Sequence, residues 1–146
     1  MHPILSYITL GVLDFDRALT FYRDGLKFPL RKLSDDSNHR FAFFELGGNT
    51  LALYPHELLA AAAGLAFDGA TTAPTRVSLS LNVASASEVA EWLARARDAG
   101  GQIRRAPYSP AWGGTCAFFT DPDGHLWEVV SHPRQPGTPT KNCDAV

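Results

Sequence analysis

Polar and apolar side chains alternate in two stretches of this 146-residue sequence. Successive side chains of a β-strand point to opposite faces, so each stretch predicts a strand with one apolar and one polar face. The apolar face is expected to pack against a helix, which leaves a row of hydroxyl and amide groups on the other face. Such groups can orient a bound small molecule by hydrogen bonds. The predicted polar rows are Tyr7 and Thr9 with Gly11 in the first stretch, and Ser78, Ser80 and Asn82 in the second.

An acidic side chain shares a face with apolar groups in a third stretch. Glu128 lies between Leu126 and Val130 in a predicted strand near the end of the chain. A carboxylate in a cleft can take up a proton or bind a cationic group, so Glu128 is a candidate catalytic residue acting as general base. The alternative is a carboxylate that accepts hydrogen bonds from neighbouring hydroxyl groups and does no chemistry.

Aromatic residues outside the expected core are further candidates. Trp112 precedes a glycine pair in a proline-rich loop and is interpreted either as a lid over an aromatic or apolar ligand, or as a cover for a dimer contact or the rim of the sheet. Phe43 and Phe44 are neighbours in one strand, so one faces the core and the other can line a cleft. The sequence does not decide which of them does so, nor on which side Tyr54 lies.

The elements that position these residues occur twice. Leu10 and Val12 recur as Leu81 and Val83, 71 residues later, and the triplet 42–44 recurs as 117–119, 75 residues later. The repeat pairs Leu51 with Leu126 and Leu53 with Glu128 at the spacing of 75, so Leu53 is expected to share the polar face.

Each half predicts a strand, a helix and three further strands. The first helix is expected to run from an Asp14 N-cap to Gly25, and the second from a Ser85 capping box with Glu88 to the glycine pair at 100 and 101. We therefore predict an α+β chain with a single domain over residues 1–133. Its parts are a βαβββ module at 4–55, a linker with one short helix at 56–74, a second βαβββ module at 75–132 and a flexible tail at 134–146.

Composition excludes several classes of protein. Thirteen basic and 15 acidic residues give a net charge of −2, which lacks the basic excess that phosphate binding requires, so no nucleic-acid partner is expected. No apolar stretch approaches the roughly 20 residues of a membrane span, and no export signal is visible, so a cytoplasmic protein without a membrane partner is expected. The two cysteines, Cys116 and Cys143, are expected to be free thiols, the first buried and inert.

Four motifs occur along the chain: Ile8-Thr9-Leu10-Gly11-Val12-Leu13-Asp14-Phe15, Phe21-Tyr22, Gly113-Gly114-Thr115 and Asp121-Pro122-Asp123-Gly124-His125-Leu126-Trp127-Glu128. Together they resemble the vicinal oxygen chelate superfamily, which includes glyoxalase I, bleomycin-resistance proteins and extradiol dioxygenases. The resemblance implies that the two modules form a cupped mixed sheet, a half-barrel, with helices outside and a ligand cleft inside. A second subunit often completes the cleft, so it also implies a homodimer.

The resemblance also bears on metal binding. Metal-using members carry histidines on the first and fifth strands and glutamates on the fourth and eighth, where this sequence has Tyr7, Ser78, Leu53 and Glu128. A phenol or a serine hydroxyl is a poor substitute for imidazole, so no resident metal or other cofactor is expected.

The sequence thus predicts a protein that binds a small organic molecule in its cleft without a metal. A metal-dependent lyase or dioxygenase, and a metal-free isomerase or epimerase using Glu128, are the alternatives. The residues predicted to line the cleft are Tyr7, Thr9, Leu53, Ser78, Ser80, Asn82, Trp112 and Glu128.

Overall fold

A computed structural model describes residues 5–63, 66–67, 69 and 77–133. The first half forms a four-stranded sheet in which β1 (Tyr7–Val12) pairs in parallel with β4 (Asn49–Pro55). The strands β3 (Phe41–Leu46) and β2 (Leu30–Ser34) follow in antiparallel order, giving β1-β4-β3-β2. We call this the first sheet.

The second half repeats the same connectivity. In the second sheet, β5 (Ser78–Val83) pairs in parallel with β8 (Leu126–Ser131), and β7 (Thr115–Thr120) and β6 (Gln102–Tyr108) complete the order β5-β8-β7-β6. Both sheets are open and mixed, with one parallel and two antiparallel pairings each. The predicted α+β class, built from two βαβββ units, is confirmed.

The helix of the first unit begins at the predicted cap. Asp14 has an extended backbone and its side chain accepts a hydrogen bond from the Arg17 amide, which starts α1 (Phe15–Leu19). The helix then changes to a π-helical segment, Thr20–Gly25, which the sequence pattern did not predict. The segment ends at Gly25, where a Cβ atom would collide with Ala99, so glycine permits close contact with the helix of the second unit.

The corresponding helix of the second unit is α3 (Ala86–Asp98), which is capped as predicted. The Ser85 hydroxyl accepts a hydrogen bond from the Glu88 amide, and the Glu88 carboxylate accepts one from the Ala84 amide. Gly100 follows the helix with a φ of +103°, a backbone conformation that favours glycine.

A short helix, α2 (His56–Ala62), follows β4 within the predicted linker. A Cβ atom at Gly11 would lie 3.2 Å from side-chain carbons of both His56 and Leu59, so glycine on β1 lets α2 approach the first sheet closely. Much of the remaining linker, and the predicted tail at 134–146, lie outside the described residues.

One hydrophobic core joins the two units. The Tyr22 ring packs 6.1 Å from Phe44 of the first sheet and 6.0 Å from Trp127 of the second, measured between ring centroids. Phe28 lies 5.7 Å from Trp127 and 6.1 Å from Trp92 of α3. The first helical segment and α3 therefore lie against the apolar faces of the sheets, whereas α2 lies against the opposite face of the first sheet. In the described ranges, no helix has the length and apolar character needed to cross a bilayer.

Candidate functional site

The polar rows lie on the sheet faces opposite α1 and α3. In β1, Tyr7 and Thr9 are exposed, whereas Leu10 and Val12 are buried in the core. In β5, the three polar residues are exposed and alternate with half-buried apolar ones; they are Ser78, Ser80 and Asn82. Strand alternation thus places each polar side chain on its predicted face.

A cavity of about 300 Å³ lies on the polar face of the first sheet. Tyr7 and Thr9 contribute its polar groups, and Leu59 of α2 forms one wall. We call it the first-sheet cavity, and its volume suits a small organic molecule. Its lining residues are Tyr7, Thr9, Phe41, Phe43, Ala52, Tyr54, Leu59 and Ala62.

The aromatic lining resolves two alternatives that the sequence left open. Phe44 is completely buried in the core, whereas Phe43 is half-buried and lines the cavity. Tyr54 lies on the same side as Phe43. Phe43 packs edge-on against Tyr7, with ring centroids 5.4 Å apart, and stacks on Phe41 at 4.5 Å. The cavity therefore has an aromatic floor as well as hydroxyl groups.

Leu53 does not lie in this cavity, so its predicted place in the cleft is wrong. Leu53 is completely buried in the hydrophobic core. Thr9 pairs with Ala52 on the first sheet, just as Ser80 pairs with Glu128 on the second. The position equivalent to Glu128 is therefore Ala52, 76 residues earlier. The difference from 75 arises because Ala42 pairs with Leu53, 11 residues later, whereas the equivalent Ala117 pairs with Val129, 12 residues later.

Glu128 lies half-buried on the polar face of the second sheet. Its Oε2 atom accepts a hydrogen bond from the Ser80 hydroxyl at 2.7 Å. Cys116 lies on the neighbouring strand β7 and is buried, as predicted. Burial raises the pKa of the Cys116 thiol, and the negative charge of Glu128 and a hydrogen bond with it raise this pKa further. Because a neutral thiol is a poor nucleophile, Cys116 has the properties of an unreactive core residue.

Ser80 and Asn82 also border a larger cavity, of about 410 Å³, at the seam between the sheets. Its walls are mainly apolar and include Ile8, Leu51 and Trp127. These side chains belong to the core or pack against it. The lining also includes Asn49, Ser80 and Asn82, so the seam cavity combines polar groups with apolar walls, but Trp127 is its single aromatic lining residue among those the structure describes, whereas four aromatic rings line the first-sheet cavity. Tyr7 and Thr9 line the first-sheet cavity, so the two predicted polar rows border different cavities in this chain.

Trp112 is half-exposed in the loop between β6 and β7. Its ring lies 5.3 Å from that of His132, just after β8, and an added Cβ at Gly114 would lie 2.8 Å from the Trp112 ring. The indole thus covers one end of the second sheet. This contact is compatible with the rim interpretation and does not bring Trp112 to Tyr7 or Phe43.

The positions that hold the metal in metal-using members of the resembled family do not suit a divalent cation here. The Tyr7 hydroxyl accepts a hydrogen bond from Arg31 Nη2 at 3.3 Å, so a guanidinium group already lies beside it and would repel a second cation. Ala52 offers no ligand atom on its side chain. Within the described residues, no group of three or more His, Cys, Asp or Glu side chains is arranged to hold a metal ion. The donor set therefore does not fit a resident metal.

The segment from Asp121 to Gly124, which begins the last of the motifs quoted above, anchors a buried polar network. Asp121 Oδ2 accepts hydrogen bonds from the Tyr22 hydroxyl at 2.7 Å and pairs with His125 Nδ1 at 2.8 Å. Asp121 Oδ1 accepts from the amides of Asp123 and His125, and the Trp127 indole donates to the Tyr22 hydroxyl. The signal for this network in the sequence was the pair of Asp121 and His125, four residues apart.

This network shifts the pKa values of its members. Burial of the His125 imidazole opposes its protonation, but the hydrogen bond to Asp121 and the charges of Asp121 and Asp123 outweigh burial and raise the pKa of His125. Burial raises the pKa of Tyr22 well above its ordinary value, and the Asp121 charge adds to this effect. Burial also raises the pKa of Asp123. The network joins the helical segment to the β7–β8 turn and thereby stabilises the scaffold of the site.

Comparisons with known proteins agree with this architecture. The chain is 31% identical to a glyoxalase-related enzyme from Fulvimarina pelagi, with a TM-score of 0.79 over 89% of this chain and 88% of that one. Two solved structures share the fold at lower identity. A lactoylglutathione lyase from Agrobacterium tumefaciens is 20% identical, with a TM-score of 0.64 over 88% of this chain and 92% of that one. A fosfomycin resistance protein from Mesorhizobium loti is 17% identical, also with a TM-score of 0.64, over 91% of this chain and 95% of that one.

No curated protein matches the sequence. Residues 4–129, however, match the model of the glyoxalase/bleomycin resistance protein/dioxygenase superfamily. The match spans both βαβββ units and agrees with the duplicated topology and with the structural neighbours. The chain belongs to this superfamily.

Proposed function

We propose that this protein binds a small organic molecule in the first-sheet cavity without a resident metal. The observation that carries the proposal is the cavity itself, which combines hydroxyl groups from Tyr7 and Thr9 with an aromatic floor. Aromatic surfaces with a few polar groups are typical of small-molecule sites. The donor set argues against a bound cation, because the Tyr7 hydroxyl is bonded to Arg31.

The polar face of the second sheet has a separate part in the proposal. Ser78, Ser80 and Asn82 would supply hydrogen bonds to a ligand that extends beyond the first-sheet cavity, and Trp112 would cover the sheet end. Glu128 already accepts a hydrogen bond from Ser80, which supports its structural interpretation, so no proton transfer is assigned to it. A homodimer and a cytoplasmic location, both expected from the sequence, remain parts of the proposal.

Thermal unfolding in the presence of a panel of metabolites and antibiotics tests the proposal. A ligand at 100 times its dissociation constant should stabilise the folded chain by about 2.7 kcal/mol, because it binds the native state and not the unfolded one. We expect at least one neutral or anionic organic compound to raise the melting temperature, and chelator to leave that increase unchanged.

A substitution within the cavity provides the matched control. Thr9 is exposed on the cavity side of β1, so Thr9→Trp should fill the space without disturbing the core and should abolish the ligand-induced increase. Thr9→Val should fold equally well and retain most of it. A panel without any stabiliser, or a stabiliser that acts equally on the Thr9→Trp variant, would refute the proposed site.

A further inference from the structure

We infer that the ligand of the first-sheet cavity is a flat apolar molecule with an anionic group, which Arg31 binds. The inference rests on the proposed function and adds the chemical class of the ligand. Its basis is the juxtaposition of a guanidinium group, an ammonium group and an aromatic floor on one face of the first sheet.

A β-bulge in β2 creates this arrangement. Leu30 pairs with Phe44 and Lys32 pairs with Phe43. Phe43 and Phe44 are adjacent, so Arg31 has no partner of its own on β3 and is the extra residue of the bulge. A bulge of this kind places two successive side chains on the same face of the strand. Arg31 and Lys32, which strict alternation would send to opposite faces, therefore both lie on the cavity side.

Ring contacts confirm this orientation. The Arg31 guanidinium carbon lies 5.9 Å from the centroid of the Phe43 ring, and the Lys32 ammonium lies 5.4 Å from the centroid of the Phe41 ring. These two rings stack on each other and line the cavity. Both positive charges thus lie over the aromatic rings beside the cavity, where they would meet an anionic group on a ligand that packs against the remaining exposed surface of these rings.

Arg31 is held in place and still has free donors. Its Nη2 atom donates hydrogen bonds to the Tyr7 hydroxyl at 3.3 Å and to Thr50 Oγ1 at 3.4 Å. Among the described residues, Nε and Nη1 make no hydrogen bond, although a guanidinium group has five N–H donors in a fork that matches a carboxylate. The two hydroxyl contacts therefore orient the fork and leave part of it for a ligand.

Neither Arg31 nor Lys32 forms an ion pair with another described residue. The ion pairs within the described ranges involve residues other than Arg31 and Lys32. Arg17, Arg23, Arg40 and Arg97, for example, each have an aspartate partner. Glu45 lies on the cavity face of β3 but forms no ion pair with Arg31 or Lys32. Two unpaired positive charges next to an apolar floor favour an anion with an aromatic body over a cationic drug.

Calorimetric titration with three naphthalene probes tests the inference. The probes are 2-naphthoate, 2-naphthamide and 2-naphthylmethylammonium, which share a ring system and differ in charge. We expect the carboxylate to bind at least about tenfold more tightly than the amide, since a hydrogen bond between two charged groups is stronger than one to a neutral acceptor. The ammonium compound should bind most weakly.

Three variants assign the effect to Arg31. Arg31→Ala should reduce the affinity for naphthoate to that for the amide, while leaving amide binding nearly unchanged. Arg31→Lys, which keeps the charge and loses the fork, should give an intermediate affinity. Arg97→Ala, an exposed substitution on α3 that removes the same charge, should have no effect.

The contradicting outcomes separate the inference from the proposed function. Equal affinities for the three probes, a preference for the ammonium compound, or full naphthoate binding by Arg31→Ala would overturn the inference while leaving a ligand site in the cavity. The inference also fails if wild-type protein binds none of the probes. The proposed function fails only when the wider panel contains no compound whose stabilisation Thr9→Trp removes.

Discussion

Replacing Asp121 with alanine should lower the free energy of unfolding by about 3–5 kcal/mol, as measured by urea denaturation. The carboxylate is 2% exposed and accepts hydrogen bonds from the Tyr22 hydroxyl, the His125 imidazole and two backbone amides. Its removal leaves several buried donors without an acceptor and His125 without its counter-charge. Asp98→Ala, which removes an exposed aspartate paired with Arg97, should leave stability unchanged within error.

The effect of Asp121→Ala should also depend on pH. The pKa of His125 is raised in the folded protein, so its charged form stabilises the fold below the unfolded value of about 6.5. This contribution is lost as the pH rises through the raised folded pKa. The difference between wild type and variant should therefore be larger at pH 6 than at pH 9. A loss below about 1 kcal/mol, or one independent of pH, would contradict the role assigned to the network.

Leu53→Ala should lower the free energy of unfolding by about 2–5 kcal/mol and leave ligand affinity in the first-sheet cavity unchanged. Leu53 is completely buried in the core, so the substitution leaves a void among apolar side chains, away from the polar face. Urea denaturation gives the loss of stability, and calorimetric titration with 2-naphthoate gives the affinity.

A leucine on an outer strand provides the control for this prediction. Leu33 is 41% exposed on β2, so Leu33→Ala should cost less than about 1 kcal/mol. A weakened affinity for naphthoate in a Leu53→Ala protein of normal stability would show instead that Leu53 lines the cleft.

Much of the fold could be predicted because its signals are local. The N-caps at Asp14 and Ser85 depend on a side chain that reaches an amide three residues later, and both were visible in the sequence. The alternation in β1 and β5 follows from strand geometry alone. The π-helical segment from Thr20 to Gly25 was not predictable in this way, because it accompanies close packing against α3, a contact between distant parts of the chain.

The site was predicted less completely, because register depends on turn length. The recurring triplet at 42–44 and 117–119 gives the correct spacing for β3 and β7. One additional residue between equivalent paired positions of β7 and β8 changes the spacing of the last strand to 76, so Leu51 corresponds to Trp127 and Ala52 to Glu128. A shift of one residue moves a side chain to the opposite face of a strand, which explains the error at Leu53.

Arg31 was missed for a related reason. Strict alternation would place Arg31 and Lys32 on opposite faces of β2, and no glycine or proline within the strand marks the bulge. Only the pairing of Leu30 with Phe44 and of Lys32 with Phe43 shows that both cations share the cavity side. The chemical character of the first-sheet cavity therefore depends on an irregularity that the sequence pattern does not express.

Calorimetric titration of wild-type protein with 2-naphthoate, before and after exhaustive dialysis against EDTA, tests the central claim most directly. Binding in the first-sheet cavity through Arg31, Tyr7 and the aromatic floor requires no metal. We therefore expect the same dissociation constant in both samples. Loss of binding after dialysis, restored by adding Mn²⁺ or Zn²⁺, would show that a cation holds the ligand and would contradict the account.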